Sequence, residues 1–375
     1  MKRIKILLLI CCEILMISCN SSVSKDLFDI VIKADLKGMD SIPAFRVMVD
    51  SIEYIPLESG SETMLSSIEH FVVFKNKFFI SDGSSVKCFS DQGHFLFNIG
   101  HIGRGPGEYV EVLSISCDSC FFYVFDQTCL YQYDALTGNY IKSFYMDHPY
   151  AEAYVKDGLV YLYDRAQEYT IAVKMLSEES SKERIIYTPP MDMVYAQKNM
   201  IISSGEKLFF SDPLKGYVYS FENGEMNKFL HFDVGRENLV PETSVNGNNL
   251  NLFKDKFMQF ENVIIAGNFI HFKYCYNNIK YQCFVNYISG KCCSYNIDRA
   301  FKEQIRDFPI EYPLFPYYSD GTYLYQEMSP SPYVVKHSYT INPPSKYHSY
   351  SLLRESQDDD NPIILRIKLK DDFLK

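Results

Sequence analysis

Phe78-Phe79-Ile80-Ser81-Asp82, a gap of three residues, then Val86-Lys87-Cys88-Phe89-Ser90-Asp91-Gln92-Gly93: this stretch decides the fold. Two short runs rich in aromatic and β-branched residues, each closed by turn-forming residues, read as a β-hairpin. Upstream, Phe71 to Phe74 is a further apolar run.

The hairpin recurs along the chain. Phe122-Tyr123-Val124-Phe125-Asp126 precedes Leu130-Tyr131-Gln132-Tyr133-Asp134, and Leu159 to Asp164 precedes Tyr169 to Val173. Leu208 to Asp212 precedes Tyr217 to Phe221, and Phe269 to Tyr274 precedes Tyr281 to Val285. Last, Tyr323-Leu324-Tyr325 precedes Pro362 to Leu369, which makes six copies. The marker aspartates lie 44 (126 − 82), 38 (164 − 126) and 48 (212 − 164) residues apart. Periods of about 40–50 residues with several strands each mark β-propeller blades. A hairpin alone buries one face, and radial stacking buries the other and leaves only short edges. The expected fold is therefore all-β, a six-bladed β-propeller with antiparallel blades. Closure calls for one blade shared between the termini, with Ile52–Leu57 and Ile363–Leu369 as the partners. One short helical insertion is expected where Leu250, Phe253, Phe257 and Phe260 fall at i, i+3, i+7 and i+10. Asn248 or Asn249 would cap it, and a second short helix is read near Arg299–Ile305. Tyr339 to Tyr350 reads as loop, and Asp358-Asp359-Asp360 as an acidic turn.

The N-terminus reads as a targeting segment. Lys2, Arg3 and Lys5 precede an apolar run, Ile6 to Ile17, interrupted by Glu13. The run is too short to span a bilayer and has the layout of a signal peptide. It ends Leu15-Met16-Ile17-Ser18-Cys19, which resembles the lipobox of bacterial lipoproteins, whose cysteine is lipidated. An ordinary secretory signal is the plainer alternative. Acyl chains at Cys19 would anchor the protein, at about 0.8 kcal/mol per buried methylene. The expected division is 1–18 signal peptide, 19–44 tether and 45–375 propeller.

Composition narrows the function classes. The net charge of −10 and pI near 5.4 argue against nucleic acid, which needs clustered Lys and Arg. No GxxxxGK[ST], HExxH or GxSxG sequence is present. Tyr (30) and Phe (28) dominate the aromatics, and Trp is absent. The tyrosines alternate inside strands, which is blade packing, although exposed ones can stack on sugar rings.

Between the first two hairpins lies Gly100-His101-Ile102-Gly103-Arg104-Gly105-Pro106-Gly107-Glu108-Tyr109. This loop resembles the glycine-rich signature of the six-bladed β-propeller lipoproteins common in Bacteroidota. Tyr54-Ile55-Pro56-Leu57-Glu58 and Asp360-Asn361-Pro362-Ile363-Ile364-Leu365 are similar to other pieces of that family. The resemblance covers roughly residues 45–375. It implies a propeller fold and an envelope location, and no settled activity. His101-Ile102 is a shortened form of the family's pattern.

Several residues compete for a functional role. Arg104 and Glu108 with the loop amides make a candidate anion pocket; the plain reading is that they tie one blade to the next, so Gly100, Gly103, Arg104, Gly105, Pro106, Gly107, Glu108 and Tyr109 are expected to be structural. Asp82, Asp126, Asp164 and Asp212 would hold a divalent cation if they met at the axis, and otherwise serve Asx turns. Cys117-Asp118-Ser119-Cys120 is a lone CxxC that lacks the rest of a zinc site. It reads as free thiols in a turn, with a local disulfide as the alternative. The histidines show no i, i+4 pair, and His271 sits within a strand. No catalytic residue, metal or cofactor is assigned. The expected function is a lipid-anchored envelope propeller that binds or scaffolds a ligand, protein or glycan. Alternatives are a propeller hydrolase or lyase acting on a glycan or lactone, and a sensor-like partner in an envelope complex.

Overall fold

Strands account for nearly all the regular structure. The computed structural model describes residues 30–33, 45–164, 170–177, 182–188, 200–212, 215–235, 238–239, 254–297, 314–330 and 357–375. The chain enters with β1 (Ile30–Ile32), the four-residue helix α1 (Phe45–Met48) and β2 (Val49–Pro56). β3 (His70–Phe74), β4 (Lys77–Ser81), β5 (Val86–Ser90) and β6 (Phe95–Asn98) form one antiparallel sheet. The short β7 (His101–Ile102) and β8 (Glu108–Tyr109) follow as a parallel pair. β9 (Ser114–Asp118), β10 (Phe121–Phe125), β11 (Cys129–Asp134) and β12 (Tyr140–Tyr145) build a second sheet. β13 (Glu152–Lys156), β14 (Leu159–Tyr163), β15 (Ile171–Met175) and β16 (Arg184–Tyr187) build a third. β17 (Ile201–Ser204), β18 (Lys207–Asp212), β19 (Tyr217–Glu222) and β20 (Glu225–Phe232) come next, then β21 (Phe257–Ala266), β22 (Phe269–Tyr276), β23 (Ile279–Asn286) and β24 (Lys291–Asn296). β25 (Tyr318–Ser319), β26 (Leu324–Met328) and β27 (Ile363–Leu369) complete the chain.

The result is an all-β, propeller-like fold of antiparallel sheets. Its sheet count departs from the six separate blades expected. Four sheets are discrete four-stranded blades, and the other large sheet has nine strands in the order β1-β20-β19-β18-β17-β25-β26-β27-β2. Its two antiparallel arms touch at one parallel residue pair, Ser204–Ser319. The physical reason is small residues at that junction. A Cβ on Gly205 would lie 2.5 Å from the Asp320 carbonyl oxygen, so glycine lets the two backbones meet. Backbone pairing then fuses what side chains would otherwise hold apart.

The expected hairpins are the two middle strands of each sheet: β4–β5, β10–β11, β14–β15, β18–β19 and β22–β23. Middle strands are covered on both faces, so they carry continuous apolar runs. Phe78, Phe79 and Ile80 of β4 are each 0% exposed. Outer strands alternate instead, as in β20, Glu-Met-Asn-Lys-Phe-Leu-His-Phe. Core residues of neighbouring sheets meet edge on. Phe79 stacks on Phe122 at 4.5 Å, joining the first sheet to the second. Each such ring contributes about 1.5–3 kcal/mol by burial.

The termini do share a sheet. β2 pairs antiparallel with β27, from Val49–Leu369 to Pro56–Ile363. Arg366 Nε donates to Glu53 Oε2 at 2.8 Å across that pair. Asn361, buried, locks the closure: its Oδ1 accepts from Leu65 N (2.8 Å) and its Nδ2 donates to the Glu58 (2.7 Å) and Thr63 (2.9 Å) carbonyls. Ile30–Ile32, inside the stretch read as a tether, lie parallel to β20 with Ile32 buried.

The expected helical insertion is corrected where it can be seen. Phe257 and Phe260 are in strand β21. Register shifts between Met258 and Glu261 and between Glu261 and Ile264 put both rings in the core, although they are three residues apart. Bulges of this kind imitate a helical period. Leu250, Phe253, Asn248, Asn249, Arg299–Ile305, Tyr339–Tyr350 and Cys19 lie outside the described residues.

Candidate functional site

The innermost strands of the four-stranded sheets and of both arms of the nine-stranded sheet face one cavity of about 300 Å³. β3 supplies His70, Phe71 and Val72, β9 Ile115, β13 Tyr154, β17 Ile201 to Ser203, and β21 Asn262 to Ile264. Tyr318 of β25, with Tyr325, Gln326 and Glu327 of β26, closes the ring. A propeller places such strands around its axis, so this cavity is the central channel.

One end is closed by aromatics. Tyr154 and Tyr318 come from β13 and β25, and burial raises both phenols, with the charges of Glu152 and Tyr318 adding to the effect on Tyr154. Tyr318 Oη accepts from Val73 N at 3.4 Å. Phe71 lies 5.2 Å from the Tyr318 ring and 5.3 Å from that of Tyr325. The other end is open, with Tyr317 and Glu327 exposed. The protein flanking Glu327 nonetheless desolvates its carboxyl in part, which raises its pKa above the ordinary value. The same charge, after burial, raises Tyr317. Beside the rim, Lys273 lies 5.2 Å from the Phe315 ring centroid and 4.9 Å from that of Tyr317. Burial lowers its ammonium pKa, and Glu261, its cross-strand partner, opposes that shift.

The residues singled out by sequence lie elsewhere. The glycine-rich loop joins β6 to β9. Glu108 Oε2 accepts from Gly105 N at 2.7 Å, and its Oε1 meets His101 Nε2 at 3.0 Å. Those amides, chiefly that of Gly105, hold its carboxyl below the usual range. The cradle that an anion would use is thus filled by the loop's own carboxylate. Arg104 is exposed. Tyr109 Oη donates to the Ile99 carbonyl (2.9 Å) and accepts from Val86 N (3.1 Å). Gly107 has φ +75°, and a Cβ there would strike the Tyr140 ring at 2.6 Å.

The four marker aspartates do not converge on an ion. Asp82 accepts from Ser84 N (3.1 Å) and Ser85 N (2.8 Å). Asp126 accepts from Val110 N (3.1 Å) and Tyr131 Oη (2.9 Å). Asp164 meets His148 Nε2 at 2.9 Å, and Asp212 accepts from Tyr187 Oη at 2.7 Å. Among the described residues no group of three metal-ligating side chains exists. Cys117 and Cys120 are free and flank the β9–β10 turn; burial drives the Cys117 thiol well up, away from reactivity. His271 is buried against Phe284.

Sequence reasoning passed over the channel residues apart from Phe71, Val72, Tyr325 and Ile364. They sit one to three per innermost strand, in segments far apart in the chain. The usable signal is positional: each lies in or beside the sheet whose middle hairpin is plain in the sequence.

Residues 31–368, which is 338 of 375, match the family described as Domain of unknown function (DUF4934). No curated protein matches the chain. Among solved structures, a protein of Bacteroides fragilis NCTC 9343 named as a candidate exported protein is similar at 18% identity and TM-score 0.71, over 91% of this chain and 99% of that one. Weaker likenesses are hydrazine synthase of Kuenenia stuttgartiensis (13% identity, TM-score 0.39, 82% and 88% covered) and the β-propeller domain of Cps50 (Swd1) from Myceliophteria thermophila (11%, 0.34, 58% and 84%).

Proposed function

The chain belongs to the DUF4934 family, and from that premise we propose that it is an exported, lipid-anchored β-propeller of the bacterial envelope, placed at the outer membrane, that holds a small ligand in its central channel. The observation that carries this is the convergence of innermost strands from the four-stranded sheets and both arms of the nine-stranded sheet on one cavity of about 300 Å³. That volume is at the lower bound of ordinary ligand sites. The two arms of the nine-stranded sheet count as separate blades in this reading, which makes six. Its support is that they meet at one residue pair, and that six apolar clusters fill the seams between neighbouring strand sets among the described residues. The loop at 100–109 serves as a blade-to-blade connector.

Export is supported by the basic, apolar N-terminus and by the name of the Bacteroides fragilis protein, and anchoring by Cys19 at the end of that segment. Cys19→Ser should release the protein from membranes; unchanged membrane partition refutes the anchor. For the channel, the full chain is incubated with a small-molecule extract of bacterial envelopes and weighed by native mass spectrometry. A bound mass is expected for the unaltered protein and not for folded Ser203→Trp, whose indole fills the cavity. An adduct that survives in Ser203→Trp, or none with either, sinks the reading.

One observation favours a hydrolase or lyase acting on a glycan or lactone. Glu69 and Glu327 share the cavity, and the raised carboxyl pKa of Glu327 suits a general acid. Turnover of aryl glycosides or lactones that disappears in Glu327→Gln would establish it.

A further inference from the structure

The charge and ring content of the channel narrow the ligand, given that the channel is the binding site. Its described lining holds two carboxylates, Glu69 and Glu327, one histidine, His70, and no lysine or arginine. No hydrogen bond or salt bridge engages the Glu327 carboxylate among the described residues, and its side chain is exposed where the cavity opens. A carboxylate beside an apolar, ring-lined cavity and without a protein partner attracts a cation more strongly than one in open water does. The remaining lining is rich in π faces, with Phe71, Tyr154, Tyr317 and Tyr318 around the same space. Rings of this kind attract cations through their quadrupoles. The chain itself shows the effect at the rim, where Lys273 sits 4.9 Å from the Tyr317 ring centroid.

We propose that the channel binds a small organic cation, whose alkylammonium group pairs with Glu327 while its body rests against the tyrosine lining. A cavity of about 300 Å³ limits the ligand to a compact small molecule. An anion of the same shape is disfavoured by the two carboxylates. A neutral analogue leaves Glu327 uncompensated.

The test is a charge series of nearly constant shape: choline, its neutral isostere 3,3-dimethylbutan-1-ol, and the anion 3,3-dimethylbutanoate. Binding to the full chain is read by saturation-transfer NMR and calorimetry, with glucose as an uncharged comparison of different shape. Choline should bind at least about tenfold more tightly than the neutral isostere, and the anion should not bind. Glu327→Gln keeps the side chain's shape and should remove the preference for choline while leaving the isostere unchanged. Tyr317→Leu should weaken choline more than the isostere. Equal binding of choline and the isostere overturns the cation assignment, as does an unaltered preference in Glu327→Gln. Binding of glucose, blocked by Ser203→Trp, with no binding of choline overturns the cation assignment and leaves the channel reading standing. Failure of all four probes overturns this proposal, whereas an extract-derived mass lost in Ser203→Trp would still support the channel reading.

Discussion

His271 should make this protein sensitive to mild acid, and one substitution should cure it. The residue lies in β22, opposite Ile264 of β21 and Phe284 of β23. It is 1% exposed, its ring is 4.7 Å from that of Phe284, and neither ring nitrogen makes a hydrogen bond of good geometry. Burial, with the nearby Lys273 charge adding to it and the Gln282 amide opposing it, pushes the imidazole from its ordinary 6.5 down to about 3. The sign follows from which state takes up protons. Above pH 6.5 the ring is neutral folded or unfolded and costs nothing. Below it the unfolded chain binds a proton that the folded chain refuses, so stability falls as pH falls. At about 1.4 kcal/mol per pH unit, the loss from this group between pH 7.5 and pH 5 is about 2 kcal/mol. His271→Leu removes the proton site and the two unpaired nitrogens together. Urea titrations of both proteins at the two pH values isolate the effect, because the other titrating groups are common to both. The substitution should be near neutral or stabilising at pH 7.5, and should retain about 2 kcal/mol more than the parent at pH 5. An identical pH dependence in the two proteins would show that the ring is charged or solvated in the fold, and the reasoning would fail.

Three other perturbations follow from the closure and the loop. Asn361→Leu strands Leu65 N and the Glu58 and Thr63 carbonyls; a loss of about 2–4 kcal/mol is expected by urea denaturation, and a loss under 0.5 would mean that these groups find water. Gly93→Ala places a Cβ 2.1 Å from the Pro56 carbonyl oxygen at φ +90°, so the β5–β6 turn must move away from the end of β2, at about 1–3 kcal/mol; an unchanged melting temperature would refute it. Glu108→Ala should speed hydrogen exchange at Gly105 N, which donates to that carboxylate. In the parent the depressed carboxyl pKa makes this protection present above the unfolded pKa and lost as pH falls through the folded one; exchange at Gly105 that is indifferent to the substitution would count against the bond.

The sequence by itself determined the repeated unit, because middle strands buried on both faces must be continuous apolar runs. Phe78–Ile80, Phe122–Phe125 and Phe269–Phe272 are legible for that reason. It also determined the clasp, since Ile363–Leu369 is the last such run and Ile52–Leu57 the first strand able to meet it. The helical period misled at Phe257 and Phe260, because bulges in β21 bring residues three apart to one core. The fusion of β17 to β25 was hidden too, as it depends on how closely Gly205 approaches Asp320 in space. Only the tertiary structure decided the channel. Glu69, Tyr154, Ser203, Asn262 and Glu327 share no spacing, and they become neighbours because radial stacking brings each sheet's inner strand to one axis. A site assembled from single residues of many strands leaves no local motif. The conspicuous loop at 100–109 leaves a strong one, since glycines there answer to backbone geometry within a few residues.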